Sequence, residues 1–228
     1  MTGAVLKTAR ESANLSQEEA AAKLGLTQAY LSMVENGRRR VSPGLASQVL
    51  KVFEVPATAL PLDLKEPRQW TDDEWKRQVG VLGYPGFAYL RGKPRRNPAQ
   101  VLFQALNQND LDTRVVEALP WLVFTYADMD WEWLVRNAKL NDRQNRLAFV
   151  VALAEDMAKS KGNRERAQEF ANRKSSLEPS RLAKEDTLCH DSMTEAERKW
   201  LRRNRSREAR HWNLLTDLDV RHLAYAHA

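Results

Sequence analysis

Thr27, Gln28, Ala29 and Ser32 fall within six consecutive positions, and together they have the side chains needed to read a base edge. Gln28 can pair bidentately with adenine, Ala29 can touch a thymine methyl, and the hydroxyls of Thr27 and Ser32 can serve a base or a phosphate. Arg38, Arg39 and Arg40 follow a few residues later, and their guanidinium forks suit phosphate contacts that position a protein without specifying sequence. A polar helix face or an arginine run alone is usually only solvated surface, so the weight rests on the elements that hold these residues.

Those elements are legible at helical spacing. Ser16 followed by Glu19 is a capping box, which predicts a helix whose inner face is Ala20, Ala21 and Leu24. Gly25 can adopt the left-handed conformation that ends it, and Thr27 is an N-cap for the next. In that third helix Leu31, Val34 and part of Tyr30 point inward, leaving Gln28, Ala29, Ser32 and Met33 outside. Asn36-Gly37 ends it, and a fourth helix from Ser42 carries Leu45, Val49, Val52 and Phe53. The pattern predicts five short helices around a small core, with the third helix free to enter a major groove by its N-terminal residues.

This stretch resembles the lambda-repressor and Cro-like (XRE) helix-turn-helix family, and the resemblance stops near Leu64. The resemblance implies that the Gln17 amide clamps a backbone phosphate. It implies that Arg10 and Glu35 form an internal ion pair joining the first helix to the third. It further implies paired half-sites read by a two-fold dimer.

Composition fits a nucleic-acid binder without demanding one. The 228 residues carry a formal net charge of +6, from 36 basic and 30 acidic side chains. Residues 1–64 hold seven basic and six acidic groups, whereas residues 161–216 hold fourteen against nine, so DNA contact from that later region stays open. A single cysteine, Cys189, excludes an internal disulfide framework. The longest apolar run, Leu119 to Tyr126, is interrupted by Pro120 and too short to cross a bilayer, so a cytoplasmic protein with no membrane partner is expected.

Beyond the first 64 residues the expectation is all-α: residues 65–96 a connector packed on a second domain, 97–162 a helical bundle or short helical-repeat domain, and 163–228 a charged helical region. The connector should hold a helix from Thr71 to Leu82, docked through Trp70 and Trp75, and Gly83 to Arg91 could run extended. Helices begin at Asn97-Pro98, Asp112, Asp130 and Asn141 or Asp142, with Pro120 bending the second. Trp131 and Trp133 lie two apart on one helix and cannot face the same core, which makes them a candidate interface. Arg164–Lys174 and Thr194–Asn204 read as helices, and Trp212, Leu214, Leu215, Leu218 and Leu223 give the end something to pack with.

No catalytic constellation emerges. There is no H-E-x-x-H helix, no phosphate-binding G-x-x-x-x-G-K-[ST] loop and no dinucleotide fingerprint. Cys189-His190-Asp191 lacks further ligands or an ordered base and reads as an incidental surface cluster, so no metal, cofactor or catalytic residue is expected. Two roles stay open. One is a dimeric transcriptional regulator, a repressor by expectation, acting on double-stranded DNA and answering to an effector. The other is an antitoxin-type protein that neutralises a toxin partner through its C-terminal half and autoregulates its operon.

Overall fold

A computed structural model describes residues 1–62, 70–90, 92–223 and 225. Four helices open the chain: α1 (Gly3–Ser12), α2 (Gln17–Leu24), α3 (Gln28–Glu35) and α4 (Pro43–Val52), each with a hydroxyl N-cap, from Thr2, Ser16, Thr27 and Ser42. The fifth helical element is a single 3₁₀ turn, Ala57–Ala59. Leu6, Ala20, Ala21, Leu24, Leu31, Val34, Leu45 and Val49 close into a small core. The expected boundary at Leu64, with Pro67, lies outside the described residues.

Among the described residues, eight further helices make the body. α5 (Asp72–Val81) starts at a capping box between Thr71 and Glu74, and buries Trp75 and Val79. After it, Gly83 to Leu90 is not extended. It folds through a 3₁₀ turn at Pro85–Phe87, because Tyr84 and Phe87 both turn inward and stack edge to face. Arg91, the last residue of that expected strand, lies outside the described residues. α6 (Pro98–Leu106), α7 (Thr113–Thr125) and α8 (Trp131–Leu140) surround α9 (Gln144–Ser160), which is buried on nearly every side. α7 continues through Pro120 without ending there. α9 begins at Gln144 rather than at Asn141 or Asp142, and Arg143 makes no side-chain cap.

α10 (Arg164–Leu177) lies along α9, with Ala167, Phe170 and Leu177 in the same core. α11 (Glu195–Asn204) and α12 (Arg207–His211) follow, and a two-residue parallel pair joins β1 (Asp186–Thr187) to β2 (Leu214–Leu215). Trp212, Leu214, Leu218 and Leu223 are buried in the main core. The division expected at residue 162 therefore separates no two cores: one apolar cluster runs from the connector to the last helical turn.

That cluster also reaches into the N-terminal unit. α4 gives Leu45 and Val49 to the small core, and Ala46 and Leu50, one position along, to the large one. Asn97, almost wholly buried, donates to Thr58 O (2.7 Å) and Leu60 O (2.8 Å) while its carbonyl caps α6. Thr58 in turn donates to Asp128 at 2.7 Å.

Cys189 is not on the surface. Burial pushes its thiol up to about 11, so it stays a neutral thiol directed at Ala105 O. Beside it the buried Arg146 makes a two-pronged ion pair with Asp186, both bonds 2.8 Å, and donates to Leu106 O and Gln108 O. Burial alone would raise the Asp186 carboxyl, but the guanidinium more than offsets it and holds it below the usual range. Among the described residues no group of His, Cys, Asp and Glu is arranged to hold a metal.

Removing one partner of such a pair leaves the other charge and two carbonyls unmatched. Arg146→Met should cost about 3–5 kcal/mol of stability, and adding Asp186→Leu should recover part of that, as a urea-denaturation double-mutant cycle would measure.

Candidate nucleic-acid interface

α3 is held by its inner face and by one ionic node. Ser16 accepts from Glu19 N (3.2 Å) and Glu19 accepts from Ser16 N (2.8 Å), which starts α2. Gly25, at φ +65°, ends it, and the Thr27 hydroxyl accepts from Tyr30 N (3.2 Å) to start α3. Leu31 and Val34 then fix the rotation of α3 against the core. At its far end the backbone of α1 comes so near that a Cβ on Gly3 would lie 2.0 Å from Val34 O, a contact only glycine avoids.

Glu35 sits at that junction with Arg10 and Gln17. Arg10 Nε donates to Glu35 Oε1 (2.7 Å) and Nη2 to Oε2 (3.2 Å), while Nη1 reaches Leu15 O at 2.8 Å. Gln17 Nε2 donates to Glu35 Oε2 at 2.8 Å. Three helices thus converge on one carboxylate whose side chain is 1% exposed. Burial would raise its pKa, but the donors from Arg10 and Gln17 outweigh that and hold it below the ordinary glutamate range. The first-helix to third-helix pair joins these two residues. The Gln17 amide, which the resemblance aims at a phosphate, gives one of its protons to Glu35.

What remains outside is a short polar set. Thr27, Gln28 and Ala29 are exposed, and Ser32 and Met33 are half-buried. Gln28 and Ser32, four apart, share a face of α3, with Ala29 and Met33 on the adjoining one. Ser32 is less free than its sequence position implies, because Asn36 Nδ2 donates to its carbonyl (2.9 Å) and lies 3.4 Å from its hydroxyl. Nothing in the helical spacing marks Asn36 for this; it reads there only as a stop signal. Arg38, Arg39 and Arg40 follow Gly37 (φ +74°) and are exposed, and among the described residues none is in an ion pair.

This geometry is that of two helices crossing at a glycine turn, the second with its outer face bare. Residues 6–60 match the helix-turn-helix family model. The N-terminal unit is a helix-turn-helix domain. Two proteins, from two strains of Mycobacterium tuberculosis and each described as an uncharacterized HTH-type transcriptional regulator, are 36% identical to this chain over 58 residues. The match covers 25% of this chain and 41% of each relative, so it spans about two fifths of their length. No solved structure matches the chain.

The aromatic pair lies away from this domain and turns inward. Trp131 donates through Nε1 to Ala127 O (2.9 Å) under the Arg173 guanidinium, and Trp133 stacks edge to face on Phe103 of α6. Both are half-buried against the main core, although they point in opposed directions. They do so because α8 lies in a groove with packed neighbours on both flanks. The exposed tryptophan is Trp200 on α11, at 55%.

The depressed Glu35 pKa fixes a sign. Unfolded chains bind this proton first as pH falls, so the node's stabilisation is complete above the unfolded value of about 4.3 and is lost as pH drops through the lower folded value. Glu35→Gln should be less stable than the wild type at neutral pH. The gap between the two should narrow below about pH 4, as melting temperatures across pH would show.

Proposed function

We propose that the chain is a sequence-specific DNA-binding transcriptional regulator that reads the major groove with α3. The observation that carries this is the exposed Thr27-Gln28-Ala29 set at the start of α3 within a complete helix-turn-helix frame. In this reading Gln28 and Ala29 meet base edges, and Thr27 and Ser32 serve a base or an adjacent phosphate. Arg38–Arg40 hold the backbone, with Gln17 offering its remaining amide proton to a phosphate. The mycobacterial relatives' descriptions as transcriptional regulators point the same way. Repression of its own promoter as a two-fold dimer is the form we favour, acting in the cytoplasm on chromosomal DNA. The role needs no catalytic step, cofactor or metal. No helix among the described residues is long and apolar enough to cross a membrane.

One observation favours a second reading, an antitoxin-type protein. Tyr89, Leu140 and Trp200 are 69%, 76% and 55% exposed, all outside the helix-turn-helix domain, and would suit a protein partner. A second polypeptide that co-purifies with the full chain and dissociates from Trp200→Ala would move that reading ahead.

The regulator reading is tested by titrating the purified protein into its own upstream duplex and into a scrambled one at physiological salt. A preference of at least about 10³ for the upstream duplex is expected. Gln28→Ala should cost about 1–3 kcal/mol on the upstream duplex and almost nothing on the scrambled one, while Arg39→Ala should weaken both. Equal losses on the two duplexes would remove Gln28 from base reading.

A further inference from the structure

Lys93 and Arg95 lie outside the matched helix-turn-helix residues, on the segment that leads into α6, yet they stand against α4. With Pro43, Gly44, Ser47 and Gln48 of that helix they line a cleft of about 430 Å3. Both side chains are exposed, and among the described residues neither is in an ion pair. Their placement is held from both sides. Ser47 Oγ lies 3.2 Å from Pro94 O, between the two cations, and Asn97 ties the same segment to Thr58 and Leu60. Pro94 itself fixes one backbone dihedral, so the backbone that carries the two cations has little freedom left to lose on binding.

The cleft begins three residues after Arg40. A fully extended chain covers at most about 11 Å in three steps, so Lys93 and Arg95 and the three arginines flank the same short turn, residues 41–44. Duplex DNA carries its phosphates in a continuous row along each strand, and two groups of cations on either side of one short stretch suit contacts within such a row. Among the described residues no acidic side chain lines the cleft. Two long exposed cations, beside a buried serine whose hydroxyl proton is already given to the Pro43 and Pro94 carbonyls, suit a continuous polyanion better than a discrete small anion.

We propose that Lys93 and Arg95 contact the phosphodiester backbone of the duplex that α3 reads, extending the footprint of the helix-turn-helix domain onto the body of the protein. This rests on the DNA-binding reading above. The contacts carry no base preference, and they make the body part of the DNA-binding surface.

The test uses the full-length chain and follows the affinity for the upstream and scrambled duplexes between about 50 and 200 mM salt. Lys93→Ala/Arg95→Ala should lower the slope of log K against log salt by about 2, close to 0.9 per lost phosphate contact, and by the same amount on both duplexes. Lys93→Arg/Arg95→Lys should keep the wild-type slope, which separates lost charge from lost structure. A wild-type slope in the alanine double variant, or a loss confined to the upstream duplex, would overturn the proposal. Failure of the wild-type protein to bind either duplex would overturn the DNA-binding reading instead, and this proposal with it.

Discussion

α4 has to satisfy two cores at once. Leu45 and Val49 form one i, i+4 stripe and Ala46 and Leu50 the next, about 100° around the helix, and each stripe is buried in a different apolar cluster. A helix in that position cannot rotate or slide to suit one side without exposing the other. The helix-turn-helix domain is therefore packed on the body through α4 itself. Asn97 adds two buried hydrogen bonds across the same seam, and leaving its amide unpaired would cost about 1–3 kcal/mol. The orientation of α3 relative to the body follows from α4.

Within the helix-turn-helix domain the corresponding constraint is polar. Apolar packing of Leu31 and Val34 sets the rotation of α3, but a core this small has few contacts with which to set its axial position. Glu35 supplies that, because its two oxygens are shared among donors from α1 and α2 in directional bonds. Gly3 permits the close approach that makes the Arg10 fork reach. The exposed residues at the N-terminal end of α3 are thus positioned by groups at its C-terminal end. The helix has only eight residues, about 12 Å, so little error accumulates along it.

Much of this was legible in the sequence, and what was not has identifiable causes. The capping boxes at Ser16/Glu19, Thr71/Glu74 and Thr194/Glu197 signal helix starts because cap and partner are local, three residues apart. α10 is legible as a helix from Arg164 to Lys174, but its packing is not: its three buried residues, Ala167, Phe170 and Leu177, are scattered among charged ones and mark no clear apolar stripe. Cys189 reads as surface because its neighbours His190 and Asp191 are polar, and only the fold shows that the chain dips inward at Thr187, Leu188 and Cys189. The double stripe of α4 is visible as apolar residues at 45, 46, 49 and 50, yet a sequence does not say that two adjacent stripes face two partners. Thr27, Gln28 and Ala29 were legible as contact candidates because the frame around them is local in sequence. Lys93 and Arg95 were not, since their nearness to α4 depends on a long-range fold.

Charge totals mislead for the same reason. Residues 1–64 carry seven basic and six acidic groups, which looks too balanced for a polyanion. The acids are not distributed evenly over the surface, however. Glu35 is consumed inside, Glu19 accepts its own helix's cap, and Glu11 lies beside Lys7 and Arg10 on α1. The three arginines after α3 have no such partner among the described residues, and the two cations from the connector are added where acids are absent from the cleft. Local potential depends on which charges are neutralised within a Debye length, roughly 8–10 Å at physiological salt, rather than on a sum over the segment. A nearly neutral domain can therefore present a strongly basic edge, and the fold produces that edge by pairing carboxylates away from it.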